Sequence, residues 1–196
     1  MSNSWISTYS GVRFDLLEPK PDMFKIEDIA HALSRICRFG GHVKGKLAMS
    51  LAQHSIMVSD IAAALADAAG FDPDEAAFLG LMHDAGESYY GDVVRPLKDL
   101  LGPQFKAIAA GIDNALFKAF GIDKDSTLWI AVHQADQVSL ATEARDLVNI
   151  NYRHLYAPNV SARAKIIVPV DAETAESMFM DAFRTIANAR QKQKAS

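Results

Sequence analysis

Side chains that can bind a metal ion occur in three separate parts of this sequence. His83 and Asp84 are adjacent, within the segment LMHDAGE at residues 81–87, while His54 precedes them and Asp136 follows. Neutral imidazole and carboxylate both bind divalent transition metals. Adjacent residues on a helix lie about 100° apart, so His83 and Asp84 can both contact one ion if other elements close the site.

Each of these residues also has an ordinary structural interpretation. A His-Asp dipeptide is common by chance, and a single histidine on an apolar helix such as His54 is more often a core residue than a ligand. Asp136 lies among Ala135, Val138 and similar residues, where a carboxylate is costly without a partner. We therefore expect a cation at Asp136. His133, one turn earlier, is expected to contact a metal ligand rather than the metal.

Glu87 follows Asp84 by three residues. If the helical turn continues, the two carboxylates share a face. Glu87 would then lie near the metal without binding it, which suits a general acid or base.

A local basic segment precedes His54. No acidic residue occurs between Asp28 and Asp60, whereas Arg35 and Arg38 both fall in this gap. The planar guanidinium can bind a phosphate through two parallel hydrogen bonds. We therefore predict that both arginines bind an anionic small ligand. Phe39 is interpreted either as a core residue or as a residue packing on a sugar or base.

Composition restricts the class of protein. The 196 residues are 49% hydrophobic and 22% charged, with a net charge of −4 and one cysteine. We expect one domain over residues 1–196, with a core at about 26–148. The net negative charge disfavours binding to duplex nucleic acid. No apolar run is long enough to span a bilayer, the first residues do not resemble a signal peptide, and a single cysteine suits a reducing cytoplasm.

Helices must position these side chains. Apolar periodicity, glycines and prolines predict helices over about 26–38, 47–69, 73–84, 103–120, 125–148 and 171–189, with a frayed end at 190–196. A short strand near residues 12–16 is predicted to pair with residues 165–170. Residues 88–98 are predicted to form a loop or a broken helix, and Asp92 within them is by default a turn residue.

These motifs together resemble those of the HD-domain phosphohydrolase superfamily, whose metal motif has the order H…HD…D. The resemblance covers about residues 26–146. It is strengthened by LSR at 33–35, RF at 38–39, QHS at 53–55, HDAGE at 83–87, GD at 91–92 and PLK at 96–98. This set is similar to the small branch of 5′-deoxynucleotidases and phage-type deoxyadenosine triphosphate triphosphohydrolases. The resemblance implies an all-α helical bundle, here with one small two-stranded β element.

The resemblance also implies roles for the residues. The metal ligands would be His54, His83, Asp84 and Asp136, holding one divalent ion: Mn, Co, Fe, Ni or Zn rather than Mg. Glu87 would handle a proton or orient a water.

The remaining residues would bind substrate. Arg38 would bind the substrate phosphate, Phe39 stands where the family often has Trp, and Asp92 would position the substrate. Arg35 is the further predicted phosphate ligand.

The expected function is hydrolysis of a deoxynucleoside mono- or triphosphate, releasing phosphate or triphosphate. Cleavage of a cyclic or alarmone-like nucleotide is an alternative reaction. The alternative outside enzymes is a non-hydrolytic metal- and nucleotide-binding module that acts as a sensor or scaffold. In either case we expect a cytoplasmic homo-oligomer, a dimer or larger, with a nucleotide as its partner and without membrane attachment.

Overall fold

The computed structural model describes residues 4–149, 151, 154 and 156–195. The strands are β1 (Trp5–Ser7) and β2 (Arg13–Asp15), and the helices are α1 (Ile26–Arg35), α2 (Leu51–Ala68), α3 (Pro73–Met82), α4 (Glu87–Tyr90), α5 (Arg95–Phe120), α6 (Trp129–Asp146) and α7 (Ala172–Ala195). Short 3₁₀ segments lie at Pro21–Met23 and Arg38–Gly41. The predicted all-α architecture with one small two-stranded sheet is confirmed. Among the described residues, no helix combines the length and the apolarity needed to cross a membrane.

The sheet differs from the prediction in its partner strand. β2 pairs antiparallel with β1, with Ile6 opposite Phe14, because a tight turn returns the chain immediately. Phe14 is fully buried and stacks on Tyr89, with ring centroids 3.9 Å apart. The hairpin therefore anchors the N-terminal segment to the core beside α4.

Residues 165–170 are not a strand, so the predicted pairing with the N-terminal segment was wrong. The backbone polar groups of this segment instead form hydrogen bonds with side chains of α2 and α6. The Gln53 amide donates to Val168 O at 3.0 Å and accepts from Val170 N at 3.0 Å. The Ile167 N–H donates to Asp146 at 2.9 Å. These hydrogen bonds consequently hold the segment against α2 and α6.

Capping side chains set where the site helices begin. The Asp72 carboxylate accepts from the N–H groups of Asp74 and Glu75, as the sequence predicted for α3. α2 begins at Leu51 rather than near residue 47, because the Ser50 hydroxyl accepts from Gln53 N. His54 therefore lies in the first turn of α2.

α2 and α3 approach closely at a glycine. A Cβ added at Gly80 would lie 2.9 Å from Ser59 Cα, a distance that no real side chain tolerates. The Ser59 hydroxyl donates to Ala77 O at 2.7 Å across the same contact. This close packing brings the end of α3, with His83 next to it, against the start of α2.

The outer helices deviate from the predicted bounds. α1 ends at Arg35, three residues early, because the chain turns to pair Cys37 with Ser50 in an isolated bridge. α5 contains the predicted helix that starts at Pro103 but is preceded by a further helical segment, with a break at Gly102 (φ 74°).

α7 continues through the segment predicted to fray. Arg190 donates to both carboxylate oxygens of Glu75, at 2.6 and 2.9 Å. Its guanidinium also lies over the Phe78 ring, 3.7 Å from the centroid. Because both partners belong to α3, these contacts hold the end of α7 against α3.

Candidate active site

Three of the predicted ligands converge where α2 meets the end of α3. The ligand atoms of His54, His83 and Asp84 all lie within 4.8 Å of one another. The two Nε2 atoms are 3.3 Å apart. An Asp84 oxygen lies 3.1 Å from His83 Nε2 and 3.5 Å from His54 Nε2.

The fourth predicted ligand comes from α6. Asp136 Oδ1 lies 3.4 Å from His54 Nε2, although Asp136 is not part of the tight group of three. α6 therefore supplies a carboxylate on the His54 side of the cluster. The structure brings all four predicted residues to one place.

The ring orientations fit a metal ion. His83 Nδ1 lies 2.7 Å from Gly80 O, and a carbonyl oxygen can only accept, so Nδ1 carries the proton. In the neutral imidazole, the form that binds a metal, the lone pair of His83 then lies on Nε2, which faces the cluster. Two nitrogen donors and two carboxylates without a thiolate are the donor set of a divalent transition-metal centre with open positions.

Charge within the cluster is consistent with cation binding. Burial opposes ionisation of Asp84, but the neighbouring His83 and His54 outweigh it and hold the pKa of Asp84 well below its usual value. Asp136 has a lowered pKa as well, because its contact with His54 outweighs its burial. Both carboxylates are thus ionised at neutral pH.

Glu87 lies next to this cluster at the start of α4, with 4% of its surface exposed. Lys98 Nζ donates to its Oε1 at 2.6 Å, while Oε2 has no hydrogen-bond partner among the described residues. Burial, together with the charges of Asp84 and Asp92, raises the pKa of Glu87 to about 8, against the opposing effect of Lys98. A carboxyl group tuned in this way can exchange a proton near neutral pH.

Arg38 is held by two carboxylates. Its Nη1 donates to Asp92 at 2.9 Å and its Nε to Glu143 at 3.1 Å. Burial disfavours the charged guanidinium, but Glu143 and Asp92 more than offset that effect and raise the pKa of Arg38. Arg38 and Asp92, which were each predicted to bind substrate, are thus in contact with each other.

Phe39 adjoins Arg38 with an unusual backbone. Its φ is 55°, a left-handed conformation that is uncommon for a residue with a bulky side chain. Its ring meets that of Tyr156 edge to face at 5.4 Å. Phe39 therefore forms an aromatic wall with Tyr156 and is not a core residue.

A cleft of about 940 Å³ adjoins the candidate site. Its lining includes Arg38, Phe39, Asp84, Glu87, Lys98 and Asp136. That volume admits a nucleotide-sized ligand. His42 also lines the cleft.

Arg35 is the predicted site residue that the structure does not bring to the cleft. Its Nη1 donates to Glu176 of α7 at 2.6 Å and to the Ser34 hydroxyl at 2.8 Å. It lies on the face of α1 that packs on α7, and the segment between Arg35 and Arg38 turns away from that face. The prediction that both arginines share one anion pocket is therefore not supported.

The expected contact between His133 and a metal ligand was also wrong. His133 is exposed on α6 and its ring lies beside Trp129. Glu143, and not His133, contacts a candidate ligand from α6, because its Oε1 lies 2.5 Å from His54 Nδ1. The sequence carried a signal for it, because a seven-residue spacing from Asp136 places Glu143 on the same helical face two turns later.

Comparison with known proteins agrees with this geometry. Residues 51–175 match the model of the HD domain family. The uncharacterised protein YfdR of Escherichia coli is 33% identical over 189 residues, covering 95% of this chain and 98% of that protein. An uncharacterised protein of Rhodobacter capsulatus is 31% identical over 153 residues, covering 77% and 76%. The chain belongs to the HD domain family.

Solved structures show the same fold. The HD phosphohydrolase DatZ of cyanophage S-2L, bound to dA and one catalytic Zn2+ ion, superposes with a TM-score of 0.55 and 19% identity, over 82% of this chain and 95% of that one. A conserved hypothetical protein of Pyrococcus furiosus gives a TM-score of 0.50 and 22% identity, over 81% and 96%. The expected membership of the HD-domain superfamily is confirmed by the family match, and these structures agree with it in fold.

The matched HD segment does not contain the whole cleft. All four candidate ligands, with Glu87 and Glu143, lie within residues 51–175, whereas Arg38 and Phe39 precede it. The HD segment thus supplies the candidate metal ligands and Tyr156 of the aromatic wall, and the segment before α2 supplies the Arg38 guanidinium and the Phe39 ring.

Proposed function

We propose that this protein is a divalent-metal-dependent phosphohydrolase acting on deoxynucleoside mono- or triphosphates. The observation that carries the proposal is that three kinds of group line one cleft. They are the two aspartates of the His/Asp cluster, the partly unsatisfied carboxyl of Glu87 and the guanidinium of Arg38. These are the groups that hydrolysis of a phosphate ester requires: ligands for a metal, a proton carrier and a cation for phosphate oxygens.

The ligand residues have complementary roles in this proposal. His54, His83, Asp84 and Asp136 would hold one divalent ion, of Mn, Co, Fe, Ni or Zn. When bound, such an ion polarises phosphoryl oxygens and makes a water molecule more acidic.

Arg38 would orient the substrate phosphate. Its hydrogen bonds to Asp92 and Glu143 use two of its five N–H groups, so at least one N–H on each terminal nitrogen is left for phosphate oxygens. Asp92 acts by fixing the guanidinium plane, which lowers the entropy lost when substrate binds.

Glu87 would transfer the proton. Because Lys98 occupies Oε1 and leaves Oε2 unpartnered, only Oε2 is available to exchange a proton with a water or with the leaving oxygen. The raised pKa of Glu87 keeps a proton available there near neutral pH. Phe39 and Tyr156 would border the nucleoside, an inference that draws support from the dA held by the related fold of DatZ.

The decisive experiment is a panel of deoxynucleoside mono- and triphosphates incubated with Mn, Co, Ni, Zn or Mg. Phosphorus NMR of the products distinguishes inorganic phosphate from tripolyphosphate. Product formation that His83→Ala abolishes would support the proposal. Nucleotide binding in calorimetry without any product under all metals would contradict it and favour a non-hydrolytic sensor or scaffold.

We further propose that the protein is a cytoplasmic homo-oligomer. Light scattering coupled to size-exclusion chromatography measures its mass directly, and a mass of one chain, 21.4 kDa, would contradict the oligomer.

A further inference from the structure

Glu143 contacts a metal ligand and the phosphate-binding arginine with the same carboxylate. Its side chain is fully buried on α6. One oxygen, Oε1, lies 2.5 Å from His54 Nδ1 and 3.1 Å from the Ser139 hydroxyl. The other, Oε2, lies 3.1 Å from both Nε and Nη2 of Arg38. Each oxygen therefore contacts a different half of the site. Oε1 contacts the half that holds the candidate metal ligands, and Oε2 contacts the half that holds Arg38.

We propose that Glu143 is a positioning residue that couples the two halves of the cleft. It holds His54 in the tautomer that leaves Nε2 free for the metal, and it fixes the plane of Arg38 at the same time. Metal affinity and phosphate affinity thus depend on one carboxylate. The part of this inference that concerns phosphate rests on the proposed function.

The chemistry of the acceptor makes the coupling specific. An ionised carboxylate only accepts hydrogen bonds, so His54 must donate from Nδ1 and Arg38 must donate from its guanidinium. With the proton on Nδ1, the lone pair of His54 lies on Nε2, which faces His83 and Asp84. A carboxylate behind a ligand histidine is a known means of fixing ring and tautomer.

An amide of the same shape cannot satisfy both neighbours. In Glu143→Gln, the amide oxygen can face Arg38 only if the NH₂ group faces His54. His54 would then accept at Nδ1 and carry its proton on Nε2, where the metal should bind. In the opposite orientation, the NH₂ group opposes the N–H donors of Arg38, which displaces the guanidinium.

The test compares Glu143→Gln with the matched control Glu75→Gln. Glu75 is also a glutamate bound by an arginine, Arg190, but it lies on α3 away from the cleft. Calorimetry measures Mn2+ affinity, and a second titration measures inorganic phosphate at saturating Mn2+. We expect Glu143→Gln to weaken Mn2+ binding about 10- to 100-fold and phosphate binding as well, whereas Glu75→Gln leaves both unchanged.

A further variant separates coupling from general damage. Arg38→Met removes the guanidinium but leaves Glu143 facing His54, so it should weaken phosphate binding and leave Mn2+ affinity unchanged. Wild-type Mn2+ affinity in Glu143→Gln, or equal losses in Glu75→Gln, would overturn the proposal.

A measurement on the unaltered protein covers the case in which Glu143→Gln fails to fold. In the zinc-loaded, ¹⁵N-labelled wild type, we expect His54 to show a protonated Nδ1 with slow exchange and an unprotonated Nε2. The reverse assignment would overturn the proposal. Neither this spectrum nor the Mn2+ titration requires turnover, so an inactive wild type would reject the phosphohydrolase without deciding the role of Glu143.

Discussion

At the scale of single residues, the carboxyl group of Glu87 combines burial with an incomplete set of hydrogen bonds. Lys98 satisfies one oxygen, and the other has no partner among the described residues. A buried acceptor without a partner lowers stability, so its presence at the edge of the cleft is consistent with a functional role. Two predictions follow from this environment.

The first concerns catalysis. Glu87→Gln keeps the shape and the contact with Lys98 but cannot release or take up a proton. We expect kcat to fall about 10²- to 10⁴-fold, with Mn2+ affinity within a factor of three of the wild type, because Glu87 is not a ligand. Steady-state kinetics and calorimetry measure the two effects. Loss of metal together with activity would show that Glu87 belongs to the ligand set.

The second concerns pH and the stability of the metal-free protein. Burial raises the pKa of Glu87 from its usual 4.5 to about 8, so the folded state holds a proton that the unfolded state releases. The folded state is therefore progressively destabilised as pH rises from about 4.5 to about 8. Because glutamine does not titrate, Glu87→Gln removes this loss of stability at high pH.

Thermal unfolding at two pH values measures the effect. We expect Glu87→Gln to have a higher Tm than the wild type at pH 8.5, with a smaller difference at pH 4.5. A difference in Tm that is the same at both pH values would contradict the raised pKa.

At the scale of elements, the metal ligands depend on how closely α2 and α3 pack. Gly80 allows backbone contact between them, since an added Cβ would lie 2.9 Å from Ser59 Cα and 3.1 Å from Val58 O. His54 lies near the start of α2 and His83 follows the end of α3. Any separation of the two helices therefore also separates their Nε2 atoms.

We predict that Gly80→Ala destabilises the protein by about 1–3 kcal/mol, as overpacked interiors do, and weakens Mn2+ binding. Gly111→Ala in α5 is the matched control, because its added Cβ meets nothing within 4 Å. That control should be neutral or stabilising by up to about 1 kcal/mol. Denaturant unfolding measures both variants, and equal effects would contradict the packing explanation.

At the scale of the whole molecule, the candidate metal site depends on three helices that are distant in sequence. α2, the turn that follows α3, and α6 each supply at least one candidate ligand. The site exists only when these helices are assembled, so a bound ion stabilises the folded state over the unfolded one.

We therefore expect Mn2+ to raise the Tm of the wild type. At a concentration of 100 times Kd, the stabilisation should be about 2.7 kcal/mol. Asp136→Asn should reduce the shift, because α6 would then provide a weaker ligand. Differential scanning calorimetry measures the shifts, and an undiminished shift in Asp136→Asn would show that α6 does not take part in metal binding.

The sequence by itself predicted the helices and the candidate ligands. Helical periodicity and capping are local, so the Asp72 cap of α3 and the ends of α2 and α5 near Gly70 and Gly121 could be inferred from neighbouring residues. The order of His54, His83-Asp84 and Asp136 was sufficient to propose a single metal cluster. The structure brings these four residues together because the start of α2, the turn that follows α3 and the middle of α6 meet at one place.

Only the tertiary structure decided which other side chains meet that cluster. Arg35 and Arg38 are three residues apart, yet one contacts α7 and the other contacts Glu143, because the chain leaves the helix between them. Residues 165–170 are rich in β-branched residues, as strands are, but Gln53 and Asp146 hydrogen-bond to their backbone groups. The pKa of Glu87 likewise depends on burial and on charges from other elements. Such properties depend on which helix faces pack together, and local periodicity does not encode that choice.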